Sequence, residues 1–387
     1  MKGWPKVALG ELLQDASEPV RVQQDAEYPN FGIYSFGRGL FAKPPISGMQ
    51  TSAGTLYRVR AGTFIYSRLF AFEGSYGLVD DAFDGHFTSN EYPSFSVDRS
   101  RLDPGFLKAY FQFPRVWKDI AMGSKGVGSR RIRVQPDKVL AHRIPLPALS
   151  EQQAIVARLD ALAEKTREVE EHLDAVERDA EHLLALRFRD VIADAPMRPM
   201  EEVAPLVRRE QSIDLDGSYP ELGIRSFGKG TFHKPPLAGS KVGTKRLYRI
   251  EPGDLLFSNV FAWEGAIAIA QPTDAGHFGS HRFITCRATL GLATAEFLRY
   301  YFLTDDGMLK IGEASPGGAG RNRTLGLEKL MAIDVPVPSL EVQQTFNCLQ
   351  ADVTALKARH AAIRQANAAL LPATLERIFS TEVLAHA

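Results

Sequence analysis

The sequence is poor in the residues that build disulfide frameworks and membrane spans. Its 387 residues include only two cysteines, Cys286 and Cys348, and neither has a partner at metal-ligand spacing. Two lone thiols in a chain of this length are typical of a reducing compartment, and we interpret both as buried, inert side chains. No apolar run reaches the ~18 residues of a membrane span, and no signal-peptide core follows Met1. These absences predict a cytoplasmic protein that has no membrane partner.

Signatures of catalysis are also missing. Gly239–Lys245 (GSKVGTK) has the wrong spacing for a phosphate-binding loop, and no Asn/Asp-Pro-Pro-aromatic motif of an adenine methyltransferase is present. The chain has no HExxH, no GxSxG and no zinc-ligand constellation. His86 and His277 share a Gly-His-Phe context, but a single histidine in each repeat is more typical of a core or turn residue. The sequence therefore predicts no catalytic residue, no metal site and no cofactor.

Net charge is also absent, because 46 basic residues balance 46 acidic ones. A neutral total by itself argues against a nucleic-acid partner. The charges are unevenly distributed, however. Acidic residues crowd the segment Glu164–Glu181, whereas local basic runs occur at Arg130–Arg133 and Arg321–Arg323. The neutral total can therefore conceal two basic faces.

The chain contains one module twice. Tyr28–Gly48 recurs as Tyr219–Gly239, 191 positions later, and Leu56–Gly74 recurs as Leu247–Gly265 with the same shift. Solenoid repeats have periods of about 20–50 residues, so this spacing indicates two whole domains. Short apolar stretches between glycines and prolines predict strands and turns in an α+β module of roughly 150 residues. The predicted strands are Gly32–Phe41, Thr55–Arg60, Thr63–Phe70 and Phe95–Val97, and the predicted helices are Phe106–Lys118 and Glu296–Leu303.

A long helix is predicted after each module. Ser150 and Gln153 have the spacing of a capping box, so the first long helix is expected to begin there. The apolar positions that follow alternate four and three residues apart over four heptads, which predicts the a/d seam of a coiled coil. The seam consists of Ile155, Leu159, Leu162, Thr166, Val169, Leu173, Val176, Ala180 and Leu183 in the first helix, and of Phe346, Leu349, Val353, Leu356, His360, Ile363, Asn367, Leu370 and Thr374 in the second.

The charges of the two helices indicate how they pair. The first is acidic, and the second carries Lys357, Arg359, Arg364 and Arg377, which favours an intramolecular pair. Connectivity favours an antiparallel pair with a pseudo-twofold axis, and we interpret the polar seam residues as register-setting. The alternative is that each helix packs only on its own module.

The resemblance to a known family rests on two junctions. Ile144–Gln153 (IPLPALSEQQ) ends the first module, and Val335–Gln344 (VPVPSLEVQQ) ends the second, each followed by a long helix. This order covers nearly the whole chain and resembles the specificity (S) subunits of type I restriction–modification systems. The two modules are unusually alike for that family, which often pairs dissimilar ones, so the resemblance leaves room for near-identical half-sites.

The resemblance implies a non-catalytic subunit that recognises a bipartite site in double-stranded DNA. It implies target-recognition domains at 1–149 and 193–338, one for each half-site. It also implies spacer helices at 150–192 and 339–387, on which two methyltransferase (modification) subunits dock before motor/nuclease restriction subunits join.

Comparison of the two copies suggests which residues contact DNA. Basic or small polar residues present in both copies are phosphate candidates, whereas long polar side chains that differ are base-reading candidates. The phosphate candidates are Arg38 and Lys229, Lys43 and Lys234, Ser124 and Ser315, and Arg130 and Arg321; Lys125, Arg131, Arg133, Asn322 and Arg323 belong to the same basic segments. The base-reading candidates are Arg68 against Asn259, Asn90 against His281, Glu91 against Arg282, and Ala42 against His233.

Each of these assignments has an alternative. Any single difference between the copies is also compatible with an ordinary surface substitution. The paired phenylalanines Phe36/Phe227, Phe41/Phe232 and Phe70/Phe261 are interpreted as core rather than as base-stacking residues, and Glu73/Glu264 as a structural carboxylate at a turn. Three other functions remain open: a methyltransferase or nuclease with a degenerate site, a pseudo-dimeric scaffold for protein or carbohydrate, and a subunit of a related phage-defence or fused restriction system.

Overall fold

The computed structural model describes residues 3–122, 133–317 and 323–380 and shows a mixed α+β chain. The chain divides into two compact units. The first unit comprises Met1–Leu173 together with His360–Ala387, and the second comprises Asp174–Arg359. Each unit therefore contains one module and a part of both long helices, and each is described by itself.

The first module contains two sheets in which most neighbouring strands are antiparallel. One has four strands in the order β2-β10-β7-β8, and the other has five in the order β3-β6-β9-β4-β5. A separate pair, β1 and β11, joins the beginning of the module to its end. The strands are β1 (Lys6–Ala8), β2 (Leu13–Asp15), β3 (Glu18–Arg21), β4 (Glu27–Ile33), β5 (Leu40–Ser47), β6 (Thr55–Arg58), β7 (Phe64–Tyr66), β8 (Tyr76–Leu78), β9 (Phe87–Thr88), β10 (Ser94–Val97) and β11 (Arg143–Pro145), and the helices are α1 (Pro104–Phe111), α2 (Pro114–Ala121) and α3 (Pro136–Ala141).

The second module has smaller sheets. Three-stranded sheets have the orders β13-β18-β21 and β20-β19-β22, and β12 pairs with β23 as β1 does with β11. Between the long helices α4 (Leu149–Ile192) and α10 (Leu340–Ser380), the strands are β12 (Met197–Pro199), β13 (Glu210–Gln211), β14 (Ser218–Tyr219), β15 (Leu222–Ile224), β16 (Thr231–His233), β17 (Leu237–Ala238), β18 (Leu247–Arg249), β19 (Leu255–Ser258), β20 (Ile267–Ile269), β21 (Phe278–Ser280), β22 (Phe283–Cys286) and β23 (Asp334–Pro336), and the helices are α5 (Met200–Val203), α6 (Gly239–Val242), α7 (Ala295–Phe302), α8 (Asp305–Glu313) and α9 (Leu327–Met331).

Two predicted elements of the first module are divided in the structure. The helix predicted at Phe106–Lys118 is two helices, α1 and α2, because Pro114 lacks an amide proton and begins a new helix. The strand predicted at Gly32–Phe41 instead contains the end of β4, a tight turn and the start of β5. The turn inside that apolar stretch places aromatic residues outside the core.

Each module buries an aromatic core that extends onto the long helices. In the first unit, Phe106 and Tyr110 contact Phe379 of α10 with ring centroids 5.6 and 5.2 Å apart. In the second unit, the ring centroids of Phe188 in α4 and Phe346 in α10 lie 5.1 Å apart. Burying one such side chain contributes about 1.5–3 kcal/mol, so these rings fasten each module to its helices.

The two long helices run antiparallel within each unit. In the first unit Leu159 of α4 shares a core cluster with Leu375 of α10, and further along the pair Glu170 accepts a hydrogen bond of 3.1 Å from Arg364. In the second unit Lys357 pairs with Glu181, and Phe346 packs on Phe188. In both units, residues with rising numbers in α4 contact residues with falling numbers in α10, which is the antiparallel direction that connectivity predicts. Coiled-coil supercoiling of the pair stays a prediction.

The predicted seam is continuous only in its first half. From Ile155 to Thr166 and from Phe346 to His360 every predicted residue is at least partly buried. Beyond these points the predicted residues that remain at least partly buried are Leu173, Ala180, Asn367 and Thr374. Leu184 is buried where Leu183 was predicted, Leu371 is partly buried where Leu370 was predicted, and Leu375 is buried next to the partly buried Thr374. Because an α-helix has 3.6 residues per turn, a seam that repeats every 3.5 residues gradually rotates around the helix, away from the partner helix. A spacing of four residues in place of three brings the buried positions back to the partner. The seam residues Val169, Val176, Leu183, Ile363 and Leu370 are exposed.

A buried glutamine joins each long helix to its own module. The helix α4 begins at Leu149, so Ser150 lies inside the first turn and the predicted capping box with the exposed Gln153 is wrong. Instead, the fully buried Gln152 accepts a hydrogen bond from the amide of Asp103 at 2.8 Å. Its own amide nitrogen donates to the carbonyls of Arg101 and Pro147, each at 2.9 Å.

The same joint occurs in the second module. Gln343 accepts from the amide of Thr294 at 3.0 Å and donates to the carbonyls of Leu292 and Pro338 at 3.0 and 2.9 Å. Every partner in the second joint lies 191 positions after its counterpart in the first. The duplication has therefore preserved this joint bond by bond.

Two further findings concern the absences noted in the sequence. In the described part of the chain no helix combines the length and the hydropathy that a membrane crossing needs. Cys286 is buried, and burial raises the pKa of its thiol to about 12. Cys348 is exposed on α10, so its assignment as a buried side chain is wrong.

Candidate nucleic-acid interface

A tight turn with the sequence Ser-Phe-Gly links two strands in each module. In the first module it joins β4 to β5, and Phe36 and Gly37 take φ values of +66° and +65°. In the second module Phe227 and Gly228 take +59° and +64°. A bulky residue at positive φ is a steric outlier, because its Cβ approaches the neighbouring backbone. We call Ser35–Gly39 and Ser226–Gly230 the Phe-Gly turns.

Hydrogen bonds hold this conformation against a second turn. In the first module the amide of Phe36 donates to the Glu73 carbonyl at 2.8 Å, and the Ser35 hydroxyl donates to the Glu73 carboxylate at 3.2 Å. The second module repeats both bonds, from Phe227 and Ser226 to Glu264, at 2.8 and 3.1 Å. The interpretation of Glu73 and Glu264 as structural carboxylates is thus supported by identical contacts in both copies.

The phenylalanines of these turns are exposed. Phe36 is 62% and Phe227 is 74% accessible, and Phe70 and Phe261 on the neighbouring turn are 49% and 40% accessible. Their assignment to the core was wrong, since hydrophobicity alone predicts burial and ignores a turn. A Phe-Gly pair placed between two strands, repeated in both copies, is the sequence signal that could have revealed them. Phe41 and Phe232 lie on the strands and are partly buried.

Cations accompany the exposed rings. The Arg38 guanidinium lies 5.8 Å from the Phe36 ring and 5.0 Å from the Tyr34 ring, within cation–π range. The Lys229 ammonium lies 5.8 Å from the Phe227 ring. Each Phe-Gly turn therefore presents a flat apolar surface beside a positive charge.

Polar candidates of the first module lie together near this turn. The amide of Arg68 donates to the Glu91 carbonyl at 2.9 Å, and Val134 donates to the Arg68 carbonyl at 2.9 Å. The Arg68 side chain bonds to Gln135, and Arg133 pairs with Glu91. Asn90 is exposed next to Glu91. The structure thus brings three candidates, Arg68, Glu91 and Arg133, into one polar cluster, beside which Asn90 is exposed.

The second module builds the same cluster from different side chains. The amide of Asn259 donates to the Arg282 carbonyl at 2.9 Å, and Leu325 donates to the Asn259 carbonyl at 2.7 Å. The Arg323 guanidinium lies 5.5 Å from the Trp263 ring. His281 and Arg282 are exposed beside them. The backbone bonds of this module therefore match those of the first, and they join the candidates Asn259 and Arg282.

Positions 68 and 259 share a further property. The Arg68 Nε and the Asn259 Oδ1 are both buried, and neither has a hydrogen-bond partner among residues 3–122, 133–317 and 323–380. A buried polar atom without a partner costs about 1–3 kcal/mol, so its recurrence calls for a ligand or a function. In the polar cluster of the first module, the Glu91 Oε2 is likewise buried without a hydrogen-bond partner in these ranges.

Other candidates are not brought into the cluster. Lys43 packs its ammonium 5.5 Å from the Phe41 ring, and Lys234 is exposed at the end of its hairpin. Within the described ranges no hydrogen bond or ion pair connects either lysine to the polar cluster. The candidates Ser124, Lys125, Arg130, Arg131, Arg321 and Asn322 lie outside the described residues. Ser315 is buried, and its hydroxyl donates to the Ile311 carbonyl at 2.6 Å.

His233 is held by a buried carboxylate. Its Nε2 lies 2.9 Å from Asp274, which also accepts a 2.8 Å hydrogen bond from the Thr231 hydroxyl. Burial acts to raise the pKa of Asp274, but hydrogen bonds from the Gln271 amide, His233 and Thr231 outweigh it and lower the pKa. His277 stacks on His233 with ring centroids 4.0 Å apart. In the part of the chain that the structure describes, no group of three or more His, Cys, Asp or Glu side chains could hold a metal ion.

Comparison with known proteins gives matches among solved structures. No protein-family model and no curated protein sequence matches the chain. The HsdS subunit from Thermoanaerobacter tengcongensis is 22% identical, with a TM-score of 0.65 over 98% of this chain and 97% of that chain. A chain from the structure that describes complex assembly and conformational transition of the type I restriction–modification system is 21% identical, with a TM-score of 0.70 over 98% of both chains.

These matches extend through both modules and both long helices. The resemblance to specificity subunits, which rested on two short junctions in the sequence, is thereby confirmed for the fold as a whole. From end to end, the chain has the fold of an HsdS subunit.

Proposed function

We propose that the chain is a DNA-recognition subunit of a type I restriction–modification complex and has no catalytic site of its own. Each module, at 1–149 and 193–338, reads one half of a bipartite site in double-stranded DNA. The helices at 150–192 and 339–387 separate the modules and dock two methyltransferase subunits, which motor/nuclease subunits join. The HsdS fold supports this assignment.

One observation carries the proposal. Both modules present the same Phe-Gly turn and the same polar-cluster backbone, but the side chains at the centre of the cluster differ. Arg68 stands where the second module has Asn259, and each has a buried polar atom without a described partner. Arginine suits guanine O6 and N7, and asparagine suits adenine N6 and N7. Two related domains that read different bases need the same backbone arrangement with different polar side chains at the point of contact.

The basic residues of the turns position the module on the duplex. Arg38 and Lys229 are exposed beside the rings, where they can contact phosphate without reading sequence. Replacing Arg38 with alanine should weaken binding to all sequences alike and reduce the salt slope by about one, as the loss of one phosphate contact predicts.

Coexpression tests the function. The chain and its methyltransferase subunit are expressed in a host without other adenine or cytosine methylation, and the methylated bases are mapped by sequencing. We expect a bipartite motif with two similar half-sites, and duplex binding by the purified complex that falls steeply with salt. Methyl transfer or S-adenosylmethionine binding by the chain alone would favour an enzyme instead. Binding that does not depend on salt would favour a protein or carbohydrate scaffold.

A further inference from the structure

We propose that Phe36 and Phe227 are wedge residues, each of which enters its half-site between neighbouring base pairs and unstacks that step. The inference rests on the proposed function and adds a mode of contact to it. It concerns apolar rings, which neither phosphate binding nor hydrogen-bonded base reading uses.

The first argument is conformational. Both residues occupy positive φ, a region that glycine or asparagine enters more easily than phenylalanine. Strain of this kind persists only where the surrounding structure enforces it, and here the paired bonds to Glu73 and Glu264 do so. In the second module Arg299 also donates to the Gly228 carbonyl. The fold therefore holds the backbone of both phenylalanines in a strained conformation.

The second argument is exposure. In the first module the Phe36 ring has one neighbouring aromatic ring in the core, Trp117, with centroids 6.2 Å apart. Most of its surface is nevertheless accessible, as is most of the surface of Phe227. Stability alone does not explain a strained turn that holds an aromatic ring in water, because burial would be its main stabilising contribution.

The third argument is chemical complementarity. The residues around the ring differ between the copies, since Tyr34 and Leu40 correspond to Arg225 and Thr231, yet phenylalanine and a neighbouring cation occur in both. A flat ring beside a positive charge matches a base beside its phosphate. Apolar side chains inserted at a base step unstack and kink the duplex. Because a methyltransferase must take its target base out of the stack, an opened step would lower that cost.

The test uses the complete complex of the chain and its methyltransferase subunit. The probe is a duplex with the mapped methylation motif, in which 2-aminopurine replaces one base at a time along each half-site. Besides the signal from extrusion of the methylation target itself, wild-type complex should raise the fluorescence at one step in each half-site. Phe36→Ala should abolish the rise in one half-site and Phe227→Ala in the other. Each should weaken binding roughly 5- to 150-fold, the range of one base–aromatic stack, without changing the salt slope.

Matched variants separate contact from folding. Met49→Ala and Leu290→Ala remove apolar side chains that are 81% and 99% exposed elsewhere in the same modules, and they should change neither fluorescence nor affinity. Phe36→Gly relieves the strained φ, so it should keep or raise the melting temperature while it loses the fluorescence signal. Phe36→Trp should retain the signal, since it keeps a flat ring.

The outcomes distinguish the two proposals. Wild-type complex that does not bind the duplex would overturn the proposed function together with the wedge. Normal binding with unchanged 2-aminopurine signals in both alanine variants would overturn the wedge alone. Loss of assembly with the methyltransferase subunit in either variant would also overturn it, because the ring would then be a protein contact.

Discussion

Arg68 is the residue whose exchange between the modules tests the proposed base reading most directly. We predict that Arg68→Asn, which places the second module's residue in the first, changes one base preference in one half-site. A bidentate contact discriminates by about 1–3 kcal/mol, so the original base should lose most of its advantage. Sequencing of methylated sites measures the change.

A second arginine provides the control for this prediction. Arg60 pairs with Glu18 through two hydrogen bonds of 2.9 Å, away from the polar cluster. Arg60→Asn removes the same guanidinium and should leave the methylation motif intact. An unaltered motif in the Arg68 variant would show that this residue reads no base.

Asp274 links the stability of the second module to pH. Its pKa is lowered in the folded state, so its contribution to the free energy of unfolding is complete above its unfolded pKa of about 3.9. That contribution is lost as the pH falls through the folded-state pKa. Asp274→Asn should therefore cost about 1–3 kcal/mol at pH 7, and the difference from wild type should shrink below about pH 4.

Urea unfolding at pH 7, 5 and 3 measures this dependence. Asp84→Asn is a comparison from the first module, since Asp84 is exposed and accepts one hydrogen bond, from Ala61. An equal loss for Asp274→Asn at all three pH values would contradict the prediction.

At the scale of elements, the buried glutamines are the features whose loss should matter most. Gln152→Leu would leave the Asp103 amide and the carbonyls of Arg101 and Pro147 without their partner. Each buried unsatisfied group costs about 1–3 kcal/mol, so we predict a loss of at least about 2 kcal/mol in the free energy of unfolding. Chemical denaturation measures it.

The adjacent glutamine is a matched control. Gln153 is exposed, and Gln153→Leu should change stability by less than about 0.5 kcal/mol. If the two variants are equally stable, the joint does not hold the helix to its module.

The sequence predicted the elements of this chain better than their details. The duplication follows from the repeated sequence, and the long helices follow from the spacing of the apolar residues. Both signals depend on residue type alone. The shift of the seam to Leu184 and Leu371 depends on the accumulated difference between 3.6 and 3.5 residues per turn, which the pattern of apolar residues does not specify. The polar cluster depends on contacts between Arg68, Glu91 and Val134, which are distant in sequence. Comparison of the copies nevertheless drew attention to Arg68 and Asn259, whose role in reading bases stays a prediction.

At the scale of the whole molecule, the helix lengths are predicted to set the distance between half-sites. The helix α4 has 44 residues, or about 66 Å at ~1.5 Å per residue. One heptad inserted after Val169 and one after Arg364 keep Glu170 and Arg364 on the same side of the insertion. Together they lengthen the pair by about 10 Å, roughly three base pairs at ~3.4 Å each.

We expect the complex that contains this variant to methylate a longer-spaced site with unaltered half-sites, but less efficiently. Three base pairs also rotate the duplex by about 100°, given some 10–10.5 base pairs per turn, so binding would require the DNA to twist or bend. Mapping of methylated sites gives the spacing. A folded variant that methylates only the original spacing would show that the helices do not set it.

The glutamine joint has a consequence for how such a protein can change over evolutionary time. Gln152 and Gln343 bind only main-chain atoms of their modules, and the residues at those atoms differ, Asp103 in one copy and Thr294 in the other. Because these hydrogen bonds involve no side chain of the module, the glutamine can form them with any module whose backbone places one amide and two carbonyls at the same positions. Recombination at this junction could therefore exchange one module for another sequence without a compensating mutation at the glutamine, as long as the new module also packs on the aromatic residues of the long helices.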